Sequence, residues 1–373
     1  MLRTEVLVIG GGPAGSTAAR FLARSGVDTL LVERNFSFVK PCGGGIPSFL
    51  LQEMDLPEHP VKKYVDTIKV VSPRGEILHI PLKGGSIAIV ERGEFDQVLR
   101  SEAEKSGTRL LQGEFRSFSD MGKTVTAEVI TSPEISLPGY SFPRTIHVEA
   151  DYVIAADGVN SRVRTALGIK PPPSFLTLSE KIGNKDTDVC EFWFGSSHAP
   201  RCYSWVFPYG EGVSVGTGTL EHAKITHLWK KFVERTGLHV RGSQRGYKIP
   251  LWQGELYHSG RVLFVGDAAG QVMPSTYEGI YYAMKAGELA GSAIARGKIG
   301  EYKKLWEKGF GKRFSLMKKL WAYFMASDRR LEKMVELHKK PEVQEASMNL
   351  WLRKDPGKGS LLTYIKIFSK FLS

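Results

Sequence analysis

Val6-Leu7-Val8-Ile9-Gly10-Gly11-Gly12-Pro13-Ala14-Gly15 is the stretch that decides the fold. Residues 3–9 form a short apolar strand pattern, and the glycines follow it with no spacer. Gly10, Gly12 and Gly15 fit G-x-G-x-x-G, and a helical pattern starts at Pro13 and ends at Gly26. Glycines there permit a tight turn and let the backbone of Gly10, Gly12, Ala14 and Gly15 approach a pyrophosphate closely. The helix start adds free N–H groups and the positive end of a dipole. Asp28–Glu33 then reads as a second strand. Glu33 closes it about 20 residues after the glycines, where a carboxylate can accept hydrogen bonds from ribose hydroxyls. Arg34 follows as a further candidate. Strand, helix, strand and acid together predict a βαβ dinucleotide-binding opening.

The chain around this opening has 373 residues, room for roughly two or three structural units. Apolar residues make up 42% and charged residues 24%, which excludes a disordered or fibrous chain. Cys42, Cys190 and Cys202 are too few and too scattered for a disulfide framework or a cysteine-rich zinc site. A reducing compartment is the simplest reading. The nine histidines show no metal-binding spacing, so no metal is expected, and His198, His222 and His227 read as surface or loop residues. No G-x-S-x-G occurs, which removes the usual hydrolase reading. The apolar run at the start is too short for a signal peptide. No window approaches the roughly 18 apolar residues of a spanning helix. The expected location is cytoplasmic, with contact to a membrane surface left open.

Charge is uneven. The net charge is +12, and residues 298–373 alone hold 18 Lys+Arg against 8 Asp+Glu. That asymmetry suggests an anionic partner for this part, against the plain alternative of a solvated helical surface.

Further along, 67–90 and 109–155 read as strands, with turns at Gly122 and around Pro133–Pro143. Residues 94–106 read as a helix and 188–219 as aromatic-rich strands. From 277 onward the pattern is helical. Glycine motifs near 10, 157 and 266 lie far apart in sequence. If they serve one cofactor, the nucleotide domain is discontinuous and the substrate region is inserted.

Two of these motifs carry a resemblance. Ala156-Asp157-Gly158-Val159-Asn160-Ser161-Arg162-Val163-Arg164 resembles the Asp-Gly motif of flavin monooxygenase-type proteins, and Gly260–Ala269 resembles their Gly-Asp motif. The resemblance implies FAD. It places Asp267 at the flavin ribityl chain and Asp157 at the junction of flavin and nicotinamide binding, with Gly158 beside it in the cofactor-binding set. It also places Arg92, followed by Phe95, Asp96 and Leu99, near the flavin phosphates, and Glu33 at the adenosine ribose. Gly266, Gly279 and Ile280 complete the implied cofactor set. The implied fold is α/β (α+β), a Rossmann-like FAD domain of the p-hydroxybenzoate hydroxylase type. It would consist of 1–55, 92–170 and 260–298. A β-sheet substrate domain would comprise 56–91 and 171–259, and a basic helical region 299–373.

Lys40-Pro41-Cys42-Gly43-Gly44-Gly45-Ile46-Pro47 and the pattern Tyr203-Ser204-Trp205-Val206-Phe207-Pro208 with Gly216 and Gly218 resemble the geranylgeranyl reductase family over the whole chain, most closely its chlorophyll and bacteriochlorophyll branch. The resemblance implies saturation of prenyl double bonds by reduced FAD, with NADPH or ferredoxin as electron donor. The substrate would be a geranylgeranyl chain on a chlorophyll-type pigment or geranylgeranyl diphosphate. Archaeal membrane-lipid and menaquinone reductases are sister readings. A flavin hydroxylase on the same fold and a non-enzymatic prenyl-lipid carrier are the other classes in competition. Tyr277 departs from the pattern, because relatives of that branch usually carry a small residue there.

An isolated alkene has no carbonyl to hold developing charge. Its reduction needs a hydride and a proton on opposite sides and a dry, apolar site. Tyr203, Trp205 and Phe207 alternate, so on a strand all three face one side and can line such a site with Pro208, Gly216 and Gly218. Without the resemblance they read as an ordinary core face. Cys42, between Pro41 and the glycines, is the first candidate proton donor, and Cys42 and Gly43 are also candidate cofactor contacts. Tyr203 and Tyr277 are alternative donors. Cys190 and Cys202 read as packing residues. Leu361, Ile365, Phe368 and Leu372 share one helical face beside Lys366 and Lys370, a pattern suited to peripheral contact with an anionic membrane or to packing on the body. A reductase or pigment-synthesis partner is a further expectation; nucleic acid is not expected.

Overall fold

The computed structural model describes residues 1–131, 144–183, 185–354 and 364–368. The expected turn around Pro133–Pro143 and most of the amphipathic segment at 360–373 lie outside the described residues. In chain order the elements are β1 (Leu2–Ile9), α1 (Pro13–Arg24), β2 (Thr29–Glu33), β3 (Gly45–Pro47), α2 (Phe49–Glu53), β4 (Val61–Val65), β5 (Thr67–Val71), β6 (Ile77–Pro81), β7 (Ile87–Val90), α3 (Arg92–Lys105), β8 (Arg109–Asp120), β9 (Val125–Thr131) and β10 (Thr145–Ala155). They continue with α4 (Arg162–Ala166), β11 (Ser174–Gly183), β12 (Cys190–Trp193), β13 (Ser204–Tyr209), β14 (Gly212–Thr219), α5 (Ile225–Thr236), β15 (Arg245–Pro250), β16 (His258–Ser259) and β17 (Val262–Phe264). The last are α6 (Ile280–Ala295), α7 (Glu301–Trp306), α8 (Lys312–Phe324), α9 (Asp328–Leu337) and α10 (Pro341–Trp351).

The chain divides into two compact units. The first comprises Met1–Val39, Gly93–Pro173 and Pro250–Lys312; the second comprises Lys40–Arg92, Ser174–Ile249 and Arg313–Ser373. The helical stretch from 299, read in the sequence as one region, is shared between them.

In the first unit the sheet order is β1-β2-β8-β9-β10-β17-β16, and β10 also pairs with β1. Strands β2, β1, β10 and β17 run parallel. Val6, Leu7 and Val8 are fully buried, as expected where a parallel strand is covered on both faces. Helix α1 starts where Gly12 caps it and Pro13, which has no N–H to leave unpaired, fills the first position. It stops before Gly26, whose φ of +78° favours glycine. Helix α6 packs closely on α1 because Gly287 has no side chain: a Cβ there would stand 2.2 Å from the Ala14 carbonyl oxygen.

The second unit holds a sheet of order β15-β11-β14-β13-β12-β5-β6 and a three-stranded sheet β3-β7-β4. On one face of the large sheet, Ile182, Val206, Val213 and Val215 pack on Trp229 and Phe232 of α5. Strand alternation sends their neighbours to the other face. Register then aligns Phe192 with Trp205, Trp205 with Gly216, and both Phe207 and Lys181 with Ser214. Of the C-terminal amphipathic segment, 364–368 is helical, with Phe368 buried 6.0 Å from Phe324 and Lys366 exposed.

Candidate functional site

In the first unit, four sequence-distant candidates meet at the carboxyl ends of neighbouring parallel strands. Glu33 ends β2, Gly10 follows β1, Asp157 follows β10 and Gly266 follows β17. Ladder bonds continue into the loops, with Ala156 N–H donating to Ile9 O at 2.8 Å and Val265 N–H to Ala155 O at 3.0 Å. This strand-end crevice is where open α/β sheets bind dinucleotides.

Backbone geometry accounts for the glycines. Gly10 has φ +106°, and a Cβ there would lie 2.4 Å from Ala156 O. A Cβ on Gly15 would lie 1.9 Å from Gly10 O, whereas one on Gly12 would meet nothing within 4 Å. Gly10 and Gly15 therefore shape the turn, and Gly12 borders open space at the start of α1. The Glu33 carboxylate accepts the N–H groups of Gly11 at 2.7 Å and Asn35 at 2.9 Å. It is thereby fixed beside the loop with lone pairs remaining for hydroxyl donors.

Asp157 Oδ2 accepts the Val163 N–H at 3.1 Å, while Oδ1 is buried without a hydrogen bond. Burial pushes this carboxyl above the ordinary carboxylate range, partly opposed by hydrogen bonds from Ser161 and Val163. Gly158 has φ +80° and Gly266 φ +61°. A Cβ on Gly279 would lie 3.5 Å from Asp267 Oδ1, and Ile280 opens α6. Tyr277 sits just before α6 with φ +54°. An orphaned carboxylate oxygen, open space over Gly12 and a free helix start suit a dinucleotide with hydroxyl and phosphate groups, so the residues present fit FAD.

Three supporting residues were given no role by the sequence reading. Arg100, on α3, donates to Gly11 O at 3.2 Å and Phe36 O at 2.9 Å. Arg164 donates to Ala268 O at 2.9 Å and ties the Asp157 loop to the Gly266 loop. Gln271 accepts the Gly266 N–H at 2.8 Å and donates to the Tyr302 hydroxyl at 2.7 Å. Arg164 closes the quoted Asp-Gly motif; Arg100 and Gln271 had no spacing that pointed to these contacts. Arg34 is exposed.

In the second unit the aromatic candidates form a wall on the sheet face opposite α5. Phe192 lies 5.2 Å from Tyr203 and 5.1 Å from Phe207, both edge to face. Tyr203 precedes β13 rather than lying on it. Trp205 lies over Gly216, where a Cβ would come 2.1 Å from the indole ring. At Gly218 a Cβ would lie 3.2 Å from Cys202 Sγ. Gly216 thus makes room for the Trp205 ring, and Gly218 for the Cys202 thiol. Trp321 of α8 stands 6.5 Å from Tyr203, and Trp351 of α10 stands 6.3 Å from Phe192. The sequence offered no spacing that joins Phe192, Trp321 and Trp351 to the motif. Pro208 is buried in β13.

Cys42 is half-buried, and its Sγ accepts the Gly44 N–H at 3.3 Å. A Cβ on neighbouring Gly43 would lie 2.7 Å from the Phe207 ring, so this turn rests on the wall. Arg92 is buried at the start of α3. Cys190 and Cys202 are buried, and burial raises both thiols, Cys202 to about 12.

His198 is not the surface residue its polar sequence context suggested. It is fully buried, with Nδ1 2.8 Å from Ser204 Oγ, which donates to Thr217 Oγ1 at 2.8 Å. Thr217 Oγ1 in turn donates to His198 O at 2.6 Å. Burial lowers the imidazole to about 4, helped by the charge of Arg235 and opposed by Asp328. His222 is half-buried against Ser174 O at 2.9 Å, and His227 is exposed. Among the described residues no helix is long and apolar enough to cross a membrane.

Comparison with known proteins gives a consistent set of matches. The FAD binding domain family matches residues 3–46 and 51–301. A geranylgeranyl diphosphate reductase of Rhodobacter capsulatus is 32% identical over 100% of this chain and 97% of its own. A digeranylgeranylglycerophospholipid reductase of Methanothermobacter thermautotrophicus is 30% identical over 94% of each chain. The crystal structure of a geranylgeranyl bacteriochlorophyll reductase-like protein from Thermoplasma acidophilum superposes with a TM-score of 0.79 at 23% identity, covering 99% of this chain and 98% of that one.

Proposed function

We infer the reaction from the family: the chain belongs to the FAD binding domain family and, within it, to the geranylgeranyl reductases. It is an FAD-dependent oxidoreductase that saturates double bonds of a geranylgeranyl chain. The observation that carries this reading is the aromatic wall, in which Gly216 gives up its side chain so that the Trp205 ring can lie flat on the sheet.

The backbone of Gly10–Gly15, with Glu33, Arg100, Asp157 and Asp267, holds the cofactor. When bound and reduced, FAD supplies a hydride. The wall of Phe192, Tyr203, Trp205 and Phe207 binds the prenyl chain by apolar burial at about 25 cal/mol per Å² and keeps water from the double bond. Reduction of the alkene would then need one proton besides the hydride that FAD would supply, and the Cys42 thiol, half-buried against the wall, is the residue proposed to donate it. The Gly44 N–H bonded to that sulfur stabilises the thiolate left behind. The proposed electron donor is NADPH or ferredoxin. The exposed lysines of the C-terminal helices, Lys318, Lys319 and Lys366 among them, make peripheral contact with an anionic membrane that holds the substrate.

The test is anaerobic reduction of the yellow protein with dithionite, followed by geranylgeranyl diphosphate or a geranylgeranyl-esterified pigment. Flavin reoxidation with product mass rising by two hydrogens per step is the expected result. Product that forms only with oxygen would make the protein a hydroxylase, and flavin that never reoxidises faster with prenyl substrate would make it a carrier. Cys42→Ala should lower kcat at least about a hundredfold, the usual scale for a lost general acid, with the flavin still bound.

A further inference from the structure

We propose that Gln271 and Tyr302 are a positioning pair for Asp267, a relay of hydrogen bonds through which helix α7 fixes the direction of this carboxylate toward the cofactor. The role depends on the FAD site and is independent of which double bond is reduced. From Val262 to Pro274 every residue is buried except Asp267, which is half-buried. The chain here leaves β17, makes one 3₁₀ turn over Gly266–Ala269 and arrives at Gln271. The shape of this turn therefore decides where Asp267 points.

Gln271 holds Gly266, the residue before Asp267, by both of its backbone groups. Its own N–H donates to Gly266 O at 3.0 Å, and its side-chain Oε1 accepts the Gly266 N–H at 2.8 Å. Nε2 then donates to the Tyr302 hydroxyl at 2.7 Å, and that hydroxyl donates to Phe264 O at 3.0 Å. Direction is forced along the whole relay. The Gly266 N–H can only donate and the Phe264 carbonyl can only accept, so the side chain between them must accept at one end and donate at the other. Gln271 is 1% exposed and Tyr302 fully buried, so water has no access to replace a lost member. Burial also pushes the Tyr302 phenol well above the usual tyrosine range, which keeps its proton in place.

The other side of the turn is equally confined. Gly266 has φ +61°, and a Cβ there would stand 3.0 Å from the Ala14 Cβ of α1. The turn is thus held between the first glycine loop and Tyr302, and a rotation at Gly266 passes directly to Asp267. Glutamate at 271 tests this arrangement. Its carboxylate accepts but cannot donate, so it either faces the Tyr302 oxygen without a proton between them or draws that proton away from Phe264 O. Once protonated, it accepts with one oxygen and donates with the other, as the amide does.

The full-length protein, stripped of flavin, is titrated with FAD by fluorescence between pH 9 and 5.5. Gln271→Glu should bind FAD about tenfold or more weakly than wild type at pH 9, the scale of one buried hydrogen bond, and return to within about threefold at pH 5.5. The titratable groups around the position are Asp267 in the turn, Tyr302, and Tyr257 with Lys303 and Glu307 acting on it. Burial keeps both phenols protonated over this range, and wild type, which has the same groups, is the reference at each pH. Tyr302→Phe should weaken FAD binding about tenfold at every pH. Tyr257→Phe is the control, because its buried hydroxyl makes no hydrogen bond among the described residues although its ring lies 5.9 Å from that of Tyr302. It should stay within about twofold of wild type. In an Asp267→Asn background, Tyr302→Phe should cost less than about a further twofold, since its effect passes through Asp267. A loss in Gln271→Glu that acid does not restore, a Tyr302→Phe affinity equal to that of the control, or full additivity with Asp267→Asn would each overturn the pair. If these FAD affinities behave as expected and no prenyl compound is reduced, the pair stands and the substrate reading falls.

Discussion

At the strand ends of the first unit, the groups that would face a bound cofactor are backbone N–H groups and glycine surfaces. On the large sheet of the second unit they are aromatic rings. A backbone site needs residues that are absent in the right places: Gly15 lies where a Cβ would strike Gly10 O, and Gly10 where it would strike Ala156 O. A side-chain site needs large residues brought together from afar: Phe192 and Tyr203 come from one part of the chain, Trp321 and Trp351 from another. The first kind should break all at once and the second by degrees.

The largest effect is therefore expected at Gly15. Gly15→Ala places a methyl 1.9 Å from Gly10 O, a backbone clash that no rotamer relieves, and should cost about 3 kcal/mol or more. The protein should be recovered poorly and colourless. Gly12→Ala is its counterpart, because a Cβ there meets no atom within 4 Å. It should fold with an unchanged Tm and lose FAD affinity about tenfold or more in a flavin titration, since the methyl occupies the space a pyrophosphate would approach. Equal loss of stability in both would mean that the turn, not ligand access, explains both glycines.

Acid should separate the two units next. His198 is depressed to about 4 from an ordinary value of 6.5. Its contribution to stability is fully present above pH 6.5 and is lost as pH falls toward 4, in total about 3 kcal/mol. Asp157 has the opposite sign: its raised carboxyl favours the folded state at low pH, and that contribution is lost as pH rises through its folded value. Hydrogen exchange read by mass spectrometry from pH 7 to 4 should show 198–217 opening before 156–164. His198→Asn should flatten the pH dependence of the first segment; if it leaves the slope unchanged, the imidazole is not the group that titrates.

These contrasts also explain what could be read in advance. The βαβ opening was legible because Gly10, Gly15 and Glu33 act through local backbone geometry, and local geometry has a spacing. The candidate residues on β13 were legible only through a motif, because alternation alone describes any core face. His198 was misread because Ser196, Ser197 and Pro200 make its surroundings look like a surface turn, while Ser204 and Thr217, 6 and 19 residues on, bury it.

A smaller effect is expected at Gly216, where the comparison can be sharpened on the side-chain site. Gly216→Ala brings a methyl to 2.1 Å from the Trp205 ring, and the clash partner is a side chain that can swing away. The cost should be about 1–3 kcal/mol, with FAD bound normally. Prenyl turnover should fall about tenfold as Trp205 leaves the wall. Adding Trp205→Leu should recover the stability without recovering turnover, a non-additive pair expected of residues in contact. Full additivity would mean that the two residues do not share the space the structure gives them.

The smallest effect, at Tyr277, asks whether a backbone constraint of the first unit has been met by the wrong kind of residue. Its φ of +54° lies in the left-handed region, in a turn held by Tyr277 N–H to Met273 O and Met273 N–H to Glu278 O, both 3.0 Å. A side chain there costs about 1–2 kcal/mol. Glycine removes that strain but frees the unfolded chain, which returns about 0.5–1 kcal/mol. Tyr277→Gly should therefore stabilise by roughly 0.5–1 kcal/mol, a rise in Tm of about 1–4 °C. Reductase kcat should change by less than about twofold if Cys42 supplies the proton. A tyrosine held in this strained conformation raises the question of whether its ring or hydroxyl acts. A stabilised variant with kcat down a hundredfold would transfer the proton-donor role from the Cys42 thiol to the Tyr277 hydroxyl, and with it the chemistry from the second unit to the first.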